Sequence, residues 1–199
     1  MMNRRILTAV TAIAVTAGSF AQINSPEAAG YIDRGIRMYQ DANYNGCIDQ
    51  MLQVRQLTPT PSEAEEALYY VAMSTMGLGD DEALGLLQSY LARYPQSTHR
   101  QEVLATIGDF YFTRAAYGDA VKAYLKVDPS TLDGATYDDY RYRLGYSYMM
   151  LGEYDKAETL MKALQSTTTY GDAARFYEAY IEYSRQNYEK ALSLFKKVN

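Results

Sequence analysis

Cysteine and histidine are almost absent from this chain, and tryptophan is missing altogether. Among its 199 residues there is one cysteine, Cys47, and one histidine, His99. A single cysteine cannot form an intrachain disulfide, and one residue of each kind supplies neither a Cys–His catalytic pair nor the usual ligands of a zinc site. No glycine-flanked serine and no glycine-rich phosphate loop accompanies His99. The sequence therefore predicts no enzyme, no metal site and no cofactor.

Positive charge is also scarce. The chain has 19 basic and 24 acidic residues, a net charge of −5, and it lacks a basic stripe that could neutralise phosphates. We therefore expect neither a nucleic-acid partner nor an anionic membrane surface. The acidic runs 80–82 and 138–139 lack the alternating ligands of a calcium loop. They are typical of helix starts, where acids complement the helix dipole.

The first residues form a segment of their own. Arg4 and Arg5 precede an apolar run over 6–17, and small residues, Ser19 and Ala21, follow it. This is the pattern of a secretory signal peptide. The run is shorter than the ~20 apolar residues that span a bilayer. We therefore predict a signal peptide over 1–21, no membrane span after its cleavage, and one domain over 22–199.

Few prolines interrupt the remaining chain, and they fall at regular intervals. Pro59, Pro61, Pro95 and Pro129 mark helix ends, because proline is costly inside a helix. A capping box beginning at Ser62 is expected to start one of the helices. Each interval between prolines reads as one pair of helices. The predicted repeats cover 26–60, 61–96, 97–132, 133–168 and 169–199.

The clearest pair lies around a tight turn at Gly152. Leu144, Gly145 and Tyr148 share one face of the first helix, and Tyr154, Ala157 and Leu160 share one face of the second. Small residues at Gly145 and Ala157 allow the two backbones to approach closely. Neither helix could bury so much apolar surface alone, so the hairpin should pack against further copies.

The same register recurs along the chain at intervals of 34 to 37 residues. The small residue of each second helix falls at Cys47, Ala83, Ala120, Ala157 and Ala191. A tyrosine precedes four of these by three residues, and the second repeat departs with Asp81. We predict that six tyrosines in these packing positions belong to the core: Tyr44, Tyr111, Tyr117, Tyr148, Tyr154 and Tyr188.

These residues give the chain a resemblance to the tetratricopeptide repeat family over about 26–198. The family's unit is a helix hairpin of about 34 residues. The resemblance implies an all-α, right-handed α-α superhelix, a TPR solenoid of about five helix hairpins. It also implies a non-catalytic scaffold that binds a protein or peptide.

The segment 90–97, which ends Tyr94-Pro95-Gln96-Ser97, is similar to repeat ends in periplasmic proteins of Gram-negative bacteria. The tyrosine-rich repeats also resemble long secreted repeat proteins of Bacteroides-type bacteria. These likenesses imply export to the periplasm or cell surface of a Gram-negative bacterium. Two other roles stay open: a structural segment of a longer repeat protein, and an accessory protein of a glycan or nutrient system.

In this family the first helix of each repeat lines the inner, concave surface. The residues expected to bind a peptide there are Tyr39, Tyr69, Met73, Phe112, Tyr142, Tyr146, Met149, Tyr180 and Tyr183. Aromatic and methionine side chains suit adaptable peptide contacts. The alternative is that these side chains pack within the superhelix. Members that hold a carboxylate use Lys, Arg and Asn, where this chain has Ile36, Asp109, Tyr146 and Tyr180, so that ligand is not expected.

The fifth repeat lacks the polar outer face with which solenoids usually finish. Leu192, Phe195 and Val198 would contact a following helix. We expect either a longer protein or a homodimer that pairs these C-terminal repeats.

Overall fold

The computed structural model describes residues 26–198, and all regular structure within that range is helical. The first four helices are α1 (Pro26–Gln40), α2 (Tyr44–Val54), α3 (Pro61–Gly77) and α4 (Ala83–Arg93). They are followed by α5 (Arg100–Thr113), α6 (Tyr117–Tyr124), α7 (Gly134–Met150), α8 (Tyr154–Leu164), α9 (Gly171–Ser184) and α10 (Tyr188–Phe195). The all-α prediction is confirmed. The predicted signal peptide over 1–21 lies outside the described residues.

The five pairs are closed by one kind of turn. One residue in each turn has a positive φ: Ala42, Gly79, Ala115, Gly152 and Gln186. In the fourth pair the N–H of Glu153 donates to Tyr148 O, and the N–H of Gly152 donates to Met149 O. This is the Schellman pattern, which satisfies the last carbonyls of a helix. The same two hydrogen bonds recur in the other four turns, so every hairpin reverses in the same way.

Helix α3 shows how a start is fixed, and it corrects one sequence prediction. The capping box uses Thr60 and Glu63 rather than Ser62 and Glu65. Thr60 Oγ1 accepts the Glu63 N–H at 3.2 Å, and Glu63 Oε2 accepts the Thr60 N–H at 2.7 Å. Pro61 then occupies the first helical position, where its missing N–H has no cost. Ser62 is therefore already inside the first turn.

Small residues bring the two helices of a pair together, as predicted. A Cβ at Gly35 would lie 2.6 Å from Met51 Cε. A Cβ at Gly145 would lie 3.1 Å from Leu160 Cβ and 3.1 Å from Met161 Cε. Ala157 opposite is completely buried. A larger side chain at either crossing would require the facing side chains to move.

The chain forms two compact units, divided between Val103 and Leu104 inside α5. In the first unit, α1 packs on α2 and α3, α2 on α3, and α3 on α4. In the second, α6 packs on α7, α7 on α8, α8 on α9, and α9 on α10. The first, third and fourth hairpins are thus each covered by the first helix of the next hairpin. None of the described helices is long and apolar enough to cross a membrane.

An ionic cluster joins the last two pairs of the second unit. Glu182 on α9 is only 2% exposed and accepts hydrogen bonds from Asn187 Nδ2 and Lys190 Nζ, both at 2.8 Å. These bonds hold the pKa of Glu182 below its usual range. Arg185 also contacts Glu182 and reaches back to Glu158 on α8 at 2.6 Å. The cluster ties α8, α9 and α10 together.

Candidate functional site

The nine residues predicted to bind a peptide lie at different depths. Tyr180 and Tyr183 on α9 are 42% and 56% exposed. Four are half-buried: Tyr39, Phe112, Tyr142 and Tyr146. Three are buried, namely Tyr69, Met73 and Met149. The buried three contribute to packing in this structure and offer little surface to a ligand.

In the first unit, tyrosine rings form a connected group on α1 and α3. Tyr39 meets Tyr70 edge to face at 5.2 Å between ring centroids, and Tyr70 meets Tyr69 at 4.9 Å. Tyr69 also stacks on His99, with centroids 3.9 Å apart. Burial, followed by the nearby Glu102 carboxylate, raises the pKa of Tyr39 to about 12. The hydroxyl of Tyr39 is therefore neutral at pH 7.

His99 is less solvated than the sequence suggests. Its ring is half-buried against Tyr69, with Nε2 at 3.4 Å from Glu66 Oε2 and Nδ1 at 3.8 Å from Glu102 Oε2. No group of three or more His, Cys, Asp or Glu side chains among the described residues could hold a metal ion. His99 therefore belongs to a packed edge of the first unit rather than to an isolated helix start.

The second unit carries a longer aromatic group, which we call the aromatic ladder. It consists of Phe112, Tyr117, Tyr142, Tyr146, Tyr170 and Tyr177. Tyr146 is at its centre, with ring centroids 5.6 Å from Phe112, 5.8 Å from Tyr117 and 5.3 Å from Tyr177. Tyr142 stacks on Tyr170 at 4.5 Å with 19° between the planes. All six rings are half-buried, so the ladder both packs the hairpins and presents aromatic surface.

A hydrogen bond fixes one ring of the ladder. Tyr170 Oη donates to Asp139 Oδ1 at 2.5 Å. Burial, then the bond to Asp139, raises the pKa of Tyr170 to about 12. Burial, then the neighbouring Tyr142 side chain, raises the pKa of Tyr177 to about 12. Tyr170 and Tyr177 are thus neutral phenols within a packed set of rings.

Asp109 lies at another inward position on α5, and its carboxylate already has partners within the chain. Its Oδ1 accepts the Tyr124 hydroxyl at 2.5 Å, and its Oδ2 lies 2.5 Å from Arg143 Nη1. The carboxylate and the guanidinium therefore neutralise each other beside the ladder. Recognition along this surface would depend on aromatic and apolar contact rather than on a free charge.

The predicted set of core tyrosines contains one exposed residue and omits two buried ones. Tyr90 and Tyr124 are completely buried, although neither was named as a core tyrosine. Conversely, the prediction that Tyr188 is a core residue is wrong, since it is 58% exposed. The equivalent Tyr44 packs against Gly77 of the following hairpin, where a Cβ would lie 2.6 Å from its Cζ. This tyrosine position is buried by the next repeat, and no described helix follows α10.

Comparison with known families agrees with the hairpin geometry. The sequence profile of the tetratricopeptide repeat matches residues 66–97 and 139–167. These segments cover the second and fourth helix pairs, including the second, which departs most from the sequence pattern. No curated protein matches the sequence.

Solved structures with the same fold cover most of the chain. MamA from AMB-1 aligns with a TM-score of 0.70 at 22% identity, covering 88% of this chain and 98% of that one. A MamA RS-1 ArsTM double mutant aligns with a TM-score of 0.71 at 14% identity, covering 88% of this chain and 94% of that one. A putative kinesin light chain of Podospora anserina with nearly identical TPR-like repeats aligns with a TM-score of 0.64 at 17% identity, covering 89% of this chain and 95% of that one. At these identities the likeness concerns the fold, a TPR solenoid.

Proposed function

We propose that this chain, which is a tetratricopeptide repeat protein, is a non-catalytic scaffold that binds a peptide segment of another protein along the aromatic ladder. The family membership supports a protein-interaction scaffold. The ladder supports the finer statement, because its six connected rings all remain half-buried and so keep part of their surface exposed.

The chemistry of the ladder defines the ligand. Its rings are neutral phenols and one phenylalanine, and the neighbouring Asp109 and Arg143 are paired with each other. A segment with aromatic, methionine or proline side chains would gain apolar burial and ring contacts there. A highly charged segment would find no partner for its charge.

Export is a further part of the proposal. The pattern of Arg4 and Arg5, an apolar run and Ser19-Phe20-Ala21 supports a signal peptide, and the resemblance of segment 90–97 to periplasmic repeat ends supports a Gram-negative periplasm or cell surface. We place the peptide partner in the same compartment. Neither a cofactor nor a metal takes part in this function.

The test is selection from a random peptide display library on the purified chain, followed by calorimetry on the enriched peptide. Alanine at both Tyr142 and Tyr146 should weaken that peptide by ~2 kcal/mol or more, about thirtyfold, because aromatic anchors dominate peptide interfaces. Affinity should change little between low and moderate salt.

Tyr137→Ala is the matched control. Tyr137 is half-buried on the same helix, α7, but its ring stacks on Tyr140 rather than on the ladder. This variant should bind the peptide as the wild type does, and circular dichroism should show that all variants are folded. Equal peptide affinity in the double variant, or binding to a glycan array in place of peptides, would overturn the proposal.

A further inference from the structure

The fifth hairpin exposes a set of apolar side chains on one side. We call it the fifth-hairpin face; its members are Phe176, Tyr180, Tyr183, Tyr188 and Leu192, and each is between 42% and 58% exposed. The three on α9 follow each other at spacings of four and three, which places them along one side of the helix. Tyr183 and Tyr188 connect the two helices, with ring centroids 5.5 Å apart. A connected apolar patch of this kind marks an interaction surface.

The fourth hairpin shows what covers such a face. Its turn residue Gly152 corresponds to Gln186, since both have a positive φ between the two helices of a pair. In this register Tyr142 and Tyr146 on α7 stand where Phe176 and Tyr180 stand on α9. We call the side of the fourth hairpin that carries Tyr142 and Tyr146 the fourth face. It is less exposed than the fifth-hairpin face, because helix α9 packs against α8 beside it.

The cover of the fourth face is specific. Tyr170 stacks on Tyr142 at 4.5 Å, and Tyr177 meets Tyr146 at 5.3 Å. Ile181, one turn after Tyr177, is completely buried. An amphipathic helix with an aromatic residue and an apolar residue four positions later therefore covers this kind of face within the chain itself.

Charges complete the match between α8 and its covering helix. Asp155 pairs with Arg185, and Lys162 lies 3.9 Å from Glu178. The same positions on α10 are Glu189 and Lys196, so the acid and the base recur in the same order. Both side chains are exposed, and neither has an ion-pair partner among the described residues. The fifth-hairpin face thus has an acid and a base at the same positions as the fourth face, which α9 covers.

We infer that the fifth-hairpin face docks an amphipathic α-helix of a partner protein, in the way that α9 docks on the fourth hairpin. The partner helix carries an aromatic residue, an acid at the next position, an apolar residue four positions after the aromatic one, and a base eight positions after it. The acid meets Lys196 and the base meets Glu189. Leu192 stands where α8 has Glu158, which makes this face more apolar than the fourth.

A second copy of this chain does not supply that helix. In the same register, α1 has Asp33 at the position of the aromatic residue, Arg34 at that of the acid and Asp41 at that of the base. Head-to-tail stacking would place Arg34 toward Lys196 and Asp41 toward Glu189, and like charges oppose such contacts. A second copy stacked head to tail is therefore not the occupant.

The direct test uses a synthetic helix with the sequence of residues 170–187. A side-chain crosslink replacing Asp172 and Phe176 would hold it helical, since a free helix of this length is marginal in water. It should bind the chain in fluorescence anisotropy. Leu192→Lys should weaken it at least tenfold, because the lysine would face Arg185 of the helix, whose partner at this position of the fourth hairpin is Glu158. Leu125→Lys, at a leucine that is 61% exposed after α6, should leave binding unchanged.

A charge exchange identifies the orientation. The helix with Glu178→Lys and Arg185→Glu should bind the wild-type chain weakly and regain affinity for the chain with Glu189→Lys and Lys196→Glu. Phe176 of this face meets Tyr177 of the ladder at 5.4 Å between ring centroids, but Glu189, Leu192 and Lys196 lie outside the ladder. The Tyr142 and Tyr146 alanine variant should therefore keep the response of helix binding to the charge exchange. The inference is overturned if the helix does not bind, if Leu192→Lys leaves its binding intact, or if the chain forms a dimer that Leu192→Lys dissociates.

Discussion

Tyr124 lies against Gly108 so closely that no side chain fits at position 108, because a Cβ there would overlap the tyrosine ring. Gly108→Ala should therefore lower the free energy of unfolding by about 1 kcal/mol or more, since the overpacking cost exceeds the helix propensity that alanine gains. Gly118→Ala in α6 is the control, because no atom lies within 4 Å of its Cβ position. It should be neutral or slightly stabilising in urea unfolding. Equal stability of the two variants would contradict this close contact.

The positive-φ turn residues predict opposite effects of two substitutions. Gly152 has φ 76° with open space around it, so Gly152→Ala should cost about 1 kcal/mol from backbone strain alone. Ala115 has φ 56° at the equivalent turn, and Ala115→Gly should stabilise the chain by a similar amount. Thermal unfolding of both variants checks this. If both variants were less stable than the wild type, the positive φ of the turn residue would not be what determines the change in stability.

Much of the fold could be predicted because its signals are local. Prolines separate the first four hairpins from one another, and the small residues Gly145 and Ala157 indicate the register of a whole helix pair. In four of the five pairs the positive-φ turn residue lies five positions before the small residue of the second helix. In the second pair Gly79 lies only four positions before Ala83, so the turn of this hairpin is one residue shorter than the others.

What the sequence does not reveal depends on partners from distant segments. Tyr90 is buried because its hydroxyl donates to Glu65 at 3.1 Å and lies 2.6 Å from Ser97 Oγ. Nothing in the spacing around Tyr90 indicates those contacts. The same holds for Tyr188: the equivalent Tyr44 is covered by the next hairpin, and no described helix covers Tyr188.

Export makes a prediction that protein chemistry can check. Cleavage after Ala21 should give a mature chain that begins at Gln22, because small residues at Ser19 and Ala21 suit a signal peptidase. N-terminal sequencing of the protein from its periplasmic fraction measures this. Ala21→Arg should block processing and serve as the control. A chain that retains Met1 in the cytoplasm would contradict the proposed location.

Glu182 should make the second unit sensitive to acid. Its hydrogen bonds from Lys190 and Asn187 lower its pKa in the folded state, so its stabilisation is present above the unfolded value near 4.5 and is lost as the pH falls below it. Glu182→Gln should cost roughly 1–3 kcal/mol at pH 7. It should also flatten the loss of stability below pH 4.5. Glu189→Gln, at an exposed position on α10, should keep the wild-type acid profile in urea unfolding.

Tyr124 predicts the opposite dependence at alkaline pH. Burial, reinforced by the charge of Asp109, raises the pKa of this phenol above its ordinary value of 10.0. A folded pKa above the unfolded one means that the stabilisation is complete below pH 10 and is lost as the pH rises, by up to about 1.4 kcal/mol per pH unit. Tyr124→Phe removes the titrating group, so the variant should lose stability less steeply than the wild type between pH 10 and 11. Tyr180→Phe, on the exposed side of α9, is the control and should keep the wild-type slope. Parallel slopes for wild type and Tyr124→Phe would mean that the Tyr124 phenol ionises without opposing the fold, and would contradict its burial beside Asp109.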